Sequence, residues 1–392
     1  MRKFVTYPAL FLWVYIFIPE VVHAQADHKT IALEDIYKAH QFHQNTVYGL
    51  RSMDDGRHYT VLEKQTAIIR YSYQTGKAVD TLLNIADHKN VLFIGQYAFS
   101  DNEEKILIAT AIDPIYRRSF TARFYIYSRK DQSLEPLRDQ GVQRLATFSP
   151  DGSKVGFVRN NNLYYKNLNT GEEEQITHDG RLNHIINGTT DWVYEEEFAF
   201  TQGFHWSPRG DKIAFYKFDE TRVRTFHMTL YRDSLYPEDY TYKYPKAGEK
   251  NSIVGVYDYH LKDGTIKKMD TGEKIDQYIP RIKWTPDNDK LCIVRMNRLQ
   301  NKVEIMLANA HTGESEVVYQ ETNPYYISEV NDHYPTFIEK GEQFIIYSEK
   351  SGFNHLYLYD IEGNLVSRIT EGDWEVTEFI GYDEREGRIF YS

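Results

Sequence analysis

The sequence predicts an all-β protein, a β-propeller built from four-stranded blades, and three observations favour this fold class. Aromatic residues make up 15% of the chain, which has 32 tyrosines, and aromatic side chains favour strands over helices. One kind of turn recurs along the sequence, and a second kind, which carries a glycine, follows most copies of the first. The unit recurs roughly every 45 to 50 residues, which is the period of a propeller blade.

The first recurring turn follows an aromatic or apolar residue and precedes a strand of alternating apolar residues. Its clearest copies start at Phe148, Trp206 and Trp284, and looser copies start at Met53, Phe99 and Phe337. In one copy the turn reads Ser149-Pro150-Asp151-Gly152. Such turn residues between two strands predict a β-hairpin.

The second recurring turn joins two further strands in most units. It occurs around Gly76, Gly171, Gly264, Gly313 and Gly363. Two hairpins per unit give four strands, so about seven blades are represented. We expect the last blade to be incomplete or missing, because the chain stops at Ser392 within a predicted strand. A pair of β-sandwiches, the other all-β possibility, would not explain turns that recur at one period.

The N-terminus has the three parts of a secretory signal peptide. Arg2 and Lys3 are followed by an apolar segment and by Ala24-Gln25-Ala26, and an apolar run of about twelve residues is too short to span a bilayer. We therefore assign residues 1–26 to a signal peptide and residues 27–392 to the propeller, with no membrane span in the mature chain. The protein is expected to be exported, either to the periplasm or to the medium.

Charge and cysteine content narrow the classes of partner. The chain has 57 acidic and 46 basic residues, for a net charge of -11, which argues against nucleic acid or anionic lipid as a partner. Cys292 is the only cysteine, so the chain contains no internal disulfide.

The most unusual stretch is residues 191–198, which read DWVYEEEF and place three consecutive carboxylates among aromatic residues. Asp191 can cap a short helix, whose dipole suits acids in the first turn. On a helix two of the glutamates can converge on one point, whereas on a strand they would face opposite ways. Several carboxylates against apolar surface indicate a bound cation, which could be a metal, an arginine or an amine.

A metal is the least favoured of these cations. Calcium sites take about six to eight oxygens from spaced Asp, Asn and Glu residues, and no such spacing occurs here. His184, His205 and His355 lack the paired spacing of a zinc site and are expected to be structural. We predict no metal and no cofactor. The residues alone leave open whether the acidic stretch holds an amine or forms a structural ion pair.

Two further features of the sequence are Arg117 and a segment that interrupts a blade. Arg117 lies in a turn predicted at residues 113–118, between strands at 105–111 and 121–127, and a lone arginine in a turn is usually a solvated surface residue. The segment from Tyr231 to Ser252 is rich in tyrosine and proline and interrupts a blade. Such an arm is expected to contact a neighbouring molecule.

With these residues in view, the chain resembles the N-terminal propeller of the dipeptidyl peptidase IV family, in the prolyl oligopeptidase clan of serine peptidases. The stretch at residues 191–198 is the most specific motif. Further motifs are YRRSFTA at 116–122, YPKAG at 244–248, GFNHLY at 352–357 and WEV at 374–376. The resemblance covers essentially all of the mature chain, with its motifs in the family's order.

The resemblance implies an eight-bladed propeller that caps an α/β-hydrolase domain with a Ser, Asp and His triad. It implies that Glu196 and Glu197 hold the α-ammonium group of a peptide and that Arg117 orients the carbonyl of the penultimate residue. The reaction would be the release of N-terminal dipeptides by an exported serine exopeptidase, from peptides with a free N-terminus and Pro or Ala in second position. The arm from Tyr231 to Ser252 would form a homodimer interface.

The chain also departs from the family pattern, because no Gly-x-Ser-x-Gly nucleophile elbow occurs in it. We therefore assign no catalytic residue within it and expect the chain alone, without the hydrolase domain, to be inactive. The alternative function is a free-standing, non-catalytic propeller that binds peptides or proteins in the periplasm.

Overall fold

The computed structural model describes residues 30–44, 49–88, 90–328 and 330–392. The predicted signal peptide at residues 1–26 lies outside the described residues. The chain divides into a small unit, Met1–Tyr48, and a large unit, Gly49–Ser392. In the small unit, helix α1 is Leu33–Tyr37. None of the helices in the described ranges is long and apolar enough to cross a membrane.

The large unit is a series of antiparallel sheets that follow one another along the chain, and we number them blades 1 to 7. Blades 1 to 3 each have four strands, which pair in chain order. Their strands are β1 (Arg51–Ser52), β2 (His58–Glu63), β3 (Ala67–Ser72) and β4 (Ala78–Asn84); β5 (Gln96–Phe99), β6 (Lys105–Pro114), β7 (Phe120–Ser128) and β8 (Ser133–Pro136); β9 (Arg144–Phe148), β10 (Lys154–Arg159), β11 (Asn162–Asn167) and β12 (Glu173–Gln175). A 3₁₀ turn, Ile85–Asp87, follows blade 1.

Blade 4 differs from the others because its first strand is in two pieces. Both β13 (Ile185–Asn187) and β14 (Phe204–Trp206) pair with β15 (Lys212–Asp219), at opposite ends of it. Between the two pieces the chain leaves the sheet and forms helix α2, Trp192–Glu197. A separate hairpin interrupts the blade between its second and third strands; the remaining elements are β16 (Thr225–Leu230) and β17 (Glu238–Lys243) in the hairpin and β18 (Ile253–His260) and β19 (Ile266–Lys268) in the blade.

Blades 5 and 6 return to the four-stranded pattern, and blade 7 has two strands. Their strands are β20 (Gln277–Trp284), β21 (Lys290–Asn297), β22 (Lys302–Asn309) and β23 (Ser315–Thr322); β24 (Thr336–Ile338), β25 (Gln343–Ser348), β26 (His355–Asp360) and β27 (Leu365–Arg368); β28 (Phe379–Asp383) and β29 (Arg388–Tyr391), with a 3₁₀ turn at Glu339–Gly341. The predicted fold class, an all-β propeller of four-stranded blades, is confirmed.

The recurring serine turn owes its sequence to hydrogen bonds that repeat in successive blades. The backbone N–H groups of Lys105, Lys154 and Lys212 donate to the hydroxyls of Ser100, Ser149 and Ser207 at 3.0, 3.0 and 3.1 Å. The lysine also links blades, because Lys105 Nζ donates to the Gly152 carbonyl in blade 3 at 2.9 Å. The repeat therefore stabilises both the turn and the contact between neighbouring blades.

Apolar side chains of the central strands pack between the blades. Phe157 in blade 3 and Phe204 and Phe218 in blade 4 are fully buried, and burial of a side chain of this size stabilises the fold by about 1.5 to 3 kcal/mol. The approach of the two blades is close, since a Cβ atom on Gly156 would lie 2.8 Å from the Phe204 ring. Only glycine fits at that position without displacing the ring.

Successive turns of an antiparallel blade lie alternately on the two faces of the propeller. The recurring serine and glycine turns lie on one face. The β6–β7 turn and the β16–β17 hairpin leave their blades on the opposite face, and the chain enters β13 from that face. Segments of blades 2 and 4 that are distant in sequence can therefore meet there.

Candidate functional site

Helix α2 begins at the residue that the sequence predicts, with Asp191 as its N-cap. The Oδ1 atom of Asp191 accepts a hydrogen bond from the Tyr194 N–H at 3.0 Å, and Oδ2 accepts one from the Ser252 hydroxyl at 2.6 Å. Burial raises the pKa of Asp191, while these two hydrogen bonds act in the opposite direction. The acidic stretch is therefore a capped helix whose start is fixed in the protein interior.

Two buried residues fix the rest of α2 to blade 5. The Tyr194 hydroxyl accepts a hydrogen bond from the Ile279 N–H at 2.8 Å. Arg281 Nη2 donates to the carbonyl of Phe198, the residue that ends the helix, at 2.8 Å. The helix cannot rotate without breaking these buried hydrogen bonds, so the directions of its glutamates are fixed.

The three consecutive glutamates have three different environments, as side chains about 100° apart on a helix should. Glu195 is fully buried, with 0% of its surface exposed. The Glu196 side chain is 17% exposed, and Glu197 is exposed. Glu196 and Glu197 are therefore the two carboxylates that a ligand from solution can reach.

Glu196 forms an ion pair with Arg117, the arginine singled out in the sequence. Arg117 Nε lies 3.0 Å from Glu196 Oε2 and 3.2 Å from Oε1. Arg117 lies in the turn between β6 and β7 of blade 2, and its side chain is 70% exposed. Both strands extend closer to Arg117 than predicted, because β6 ends at Pro114 and β7 begins at Phe120. The turn therefore carries Arg117 across to the helix of blade 4.

Glu195 is the residue of this site that sequence analysis missed. Its Oε1 atom accepts hydrogen bonds from the backbone N–H groups of Arg118 and Ser119, at 2.7 and 2.8 Å. The only sequence signal was its place beside Glu196 in a run of glutamates. That run does not reveal which glutamate is buried.

A cavity of about 680 Å³ opens on the side of α2 that carries Glu197. The helix contributes Trp192 and Glu197 to its wall, the arm contributes Tyr244, and blade 5 contributes Tyr278 and Arg298. The Trp192 and Tyr244 rings lie 4.2 Å apart between centroids. The base of the arm is therefore packed directly on the helix that carries the acidic stretch.

Buried ionisable groups surround the start of α2. Burial and the nearby carboxylate of Asp191 together raise the pKa of Glu220 to about 7. Burial lowers the pKa of Arg144, and the negative charge of Glu195 is the largest influence in the opposite direction. The negative charge of Glu195 therefore influences Arg144 in blade 3 as well as the backbone of the turn in blade 2.

The histidines noted in the sequence do not form a metal site in the described ranges. No group of three or more His, Cys, Asp or Glu residues there is placed to hold a metal ion. His355 is buried and contacts the Thr370 hydroxyl and the Gly372 carbonyl at 2.9 and 3.0 Å. Burial lowers the pKa of His205 to about 4, so its imidazole is neutral at physiological pH.

The fold and the site together identify the chain as a β-propeller protein with a polar site on one face. The site lies at an acidic helix that interrupts the edge strand of one blade. The protein-family model of the dipeptidyl peptidase IV (DPP IV) N-terminal region matches residues 100–392 of this chain. The chain belongs to the dipeptidyl peptidase IV family, whose N-terminal region it contains.

Individual relatives agree with this assignment. The chain is 29% identical to dipeptidyl peptidase 4 of Trichophyton rubrum over 349 residues, which is 82% of this chain and 44% of the relative. It is 27% identical to inactive dipeptidyl peptidase 10 of Mus musculus over 314 residues, 76% of this chain and 39% of the relative. The crystal structure of Porphyromonas gingivalis dipeptidyl peptidase 4 superposes with a TM-score of 0.87 at 41% identity, over 92% of this chain and 52% of that one. The chain thus spans about half the length of these relatives or less.

Proposed function

We propose that this chain is the substrate-gating propeller of an exported serine dipeptidyl peptidase, which removes Xaa-Pro or Xaa-Ala from peptides with a free N-terminus. The observation that supports this proposal best is the ion pair between Arg117 in blade 2 and Glu196, which lies next to Glu197 on the short helix α2. Family membership supports the same activity, although one of the relatives is named inactive. The geometry of the three residues must therefore support the substrate assignment.

The two accessible carboxylates are suited to an α-ammonium group. Such a group has one positive charge and three N–H donors, and leaving it unpaired in a partly dry site costs several kcal/mol, on the order of 2 or more. Glu196 and Glu197 together offer four oxygen acceptors. Because the helix is fixed, they hold the amine at a constant distance from the bond to be cleaved, which selects cleavage after the second residue.

Arg117 has a different role in the same site. Its Nε atom faces the Glu196 carboxylate, and the guanidinium group has further N–H donors in the same plane. Arg117 can therefore hold Glu196 in place and donate to a substrate carbonyl at the same time. Its positive charge also reduces the repulsion between the two neighbouring glutamates.

The arm is proposed to form a homodimer interface. Tyr231, Leu235 and Tyr236 at its tip are 85%, 91% and 78% exposed, and aromatic residues are enriched in the centres of protein interfaces. The net charge of -11 disfavours nucleic acid as the partner. A second copy of the protein is the partner we propose.

Export is proposed from the N-terminal sequence. The basic start, the short apolar segment and the small residues near residue 26 are the parts of a secretory signal peptide. An exported peptidase would meet peptides in the periplasm or outside the cell.

The test compares two substrates on the complete protein. We expect hydrolysis of a free Ala-Pro anilide and more than about a hundredfold lower kcat/KM for its N-acetylated analogue, because acetylation removes the charge that the carboxylates bind. Comparable kcat/KM values for the two substrates would overturn the proposed role of the acidic stretch.

The alternative, a non-catalytic binding propeller, is supported by the similarity to a relative named inactive. It predicts a different result on the same protein. The free peptide would bind in calorimetry, and neither anilide would be hydrolysed.

A further inference from the structure

We propose that Glu195, the buried glutamate of α2, is a positioning residue that fixes the distance between Arg117 and Glu196 and thereby sets the affinity for the substrate amine. The inference rests on the proposed function for Arg117 and Glu196. It adds a residue that has no access to the substrate and acts only through its neighbours.

The first step of the argument is the hydrogen bonding of the Glu195 carboxylate. Glu195 Oε1 accepts from the N–H groups of Arg118 and Ser119 at 2.7 and 2.8 Å, the two residues that directly follow Arg117. These bonds join blade 2 to blade 4 across 77 and 76 positions of sequence. The turn that presents Arg117 is therefore attached to the helix that presents Glu196.

The second step is a further hydrogen bond between Arg118 and Glu195, in which the side chain of Arg118 is the donor. Arg118 Nη1 donates to the backbone carbonyl of Glu195 at 2.9 Å. Arg118 and Glu195 are thus joined twice, once through each side chain. Because Arg117 precedes Arg118 and Glu196 follows Glu195, fixing the inner pair fixes the outer pair.

The third step compares the strengths of the inner and outer pairs. The Arg117 side chain is 70% exposed, and exposed ion pairs contribute little to holding two segments together. Glu195 is fully buried, and hydrogen bonds to a buried charge are among the strongest in proteins. The inner bonds therefore set the geometry, and the outer pair is left available for ligand binding.

The experiment uses the complete enzyme and the variant Glu195→Gln, which keeps the size of the side chain and removes its charge. We expect KM for a free Ala-Pro anilide to rise about tenfold, because two backbone N–H groups lose a charged acceptor. We expect kcat to stay within about twofold, since the amine site does not contact the reacting bond. The rate of labelling by a fluorophosphonate, which has no amine, should not change.

A double-mutant cycle tests whether Glu195 acts through Arg117. In the background Arg117→Ala, the change Glu195→Gln should raise KM by less than about twofold, because the residue that it positions has been removed. Arg118→Ala is the second variant, in case Glu195→Gln folds poorly, and it should raise KM in the same direction by a smaller factor. Additive effects of Glu195→Gln and Arg117→Ala would overturn the inference.

The matched control is Glu304→Gln in blade 5, another buried glutamate, which pairs with Arg295 and Lys302 at 2.6 and 2.8 Å. This control should lower thermal stability without changing KM. An equal rise in KM for the control would mean that Glu195 acts only through general stability. Failure of the proposed function has a separate result, namely that Glu196→Gln and Glu197→Gln leave KM and kcat/KM unchanged.

Discussion

The hydroxyl of Tyr194 accepts a hydrogen bond from the backbone N–H of Ile279 at 2.8 Å, which joins the acidic helix to blade 5. Ile279 lies where the pairing of β20 with β21 changes register, between Tyr278 and Arg281. A bulge of this kind leaves backbone groups unpaired by the ladder. The Ile279 carbonyl is satisfied in turn by the Tyr216 hydroxyl at 3.1 Å. The hydroxyls of two buried tyrosines, Tyr194 and Tyr216, thus form hydrogen bonds with the N–H and the carbonyl of Ile279 at the bulge.

The first prediction concerns this hydrogen bond. The variant Tyr194→Phe leaves the Ile279 N–H buried without its acceptor, so we expect the free energy of unfolding to fall by about 1 to 3 kcal/mol. Thermal and chemical denaturation of the protein would measure the loss. Tyr325→Phe, at a tyrosine outside the arm that is 83% exposed, also removes a hydroxyl and should change stability by less than about 0.5 kcal/mol. Equal stabilities for the two variants would show that the bulge does not depend on Tyr194.

The second prediction concerns the two accessible carboxylates in the complete enzyme. Glu196→Gln and Glu197→Gln keep the shape of the site and each remove one charge that would face the substrate amine. We expect each variant to have a lower kcat/KM for a free dipeptide anilide, which corresponds to a loss of about 2 to 4 kcal/mol of transition-state stabilisation. Wild-type kcat/KM in both variants would show that the acidic stretch is structural.

Features that depend on local sequence could be predicted. The serine turns recur because each hydroxyl accepts a hydrogen bond from a backbone N–H five residues later. The residues that form each turn therefore lie within one short stretch of sequence and can be recognised there. The N-cap at Asp191 is local for the same reason, since its carboxylate bonds the third residue after it. Turn and cap residues are chosen by backbone groups a few positions away.

Features that depend on distant contacts could not be predicted from one sequence. The burial of Glu195 follows from its contacts with Arg118 and Ser119 in another blade, and no periodic pattern marks it. The division of the first strand of blade 4 into β13 and β14 also depends on pairing with β15. The arm, predicted as an excursion from Tyr231 to Ser252, contains β17, but its paired strand β16 (Thr225–Leu230) lies before the predicted start, so the excursion begins earlier than predicted.

The third prediction concerns the arm. Its tip is exposed, whereas Tyr244 at its base packs on Trp192, so a deletion that removed Tyr244 would also disturb the acidic helix. We therefore choose Leu235→Asp with Tyr236→Asp, which place two charges in the centre of the proposed interface. Burial of an unpaired charge costs several kcal/mol, on the order of 3 or more, and we expect monomers in light scattering. Leu182→Asp, at another exposed leucine, is the control. A dimer that persists with the tip changed would exclude the arm as the main interface.

The last prediction concerns the dependence of stability on pH. The pKa of Glu220 is raised from 4.5 to about 7, mainly by burial and also by Asp191 and Asp219, while Lys243 acts in the opposite direction. A carboxyl group whose pKa is raised by folding binds its proton more tightly in the folded protein, so its contribution to stability is complete below pH 4.5 and is lost as the pH rises through 7. The loss is at most about 3 kcal/mol, from 1.36 kcal/mol per pKa unit. Glu220→Gln removes this titration. The stability of the wild type minus that of the variant should therefore fall between pH 5 and pH 8, and denaturation at a series of pH values would measure it. A difference that stays constant over this range would mean that Glu220 ionises as it does in water.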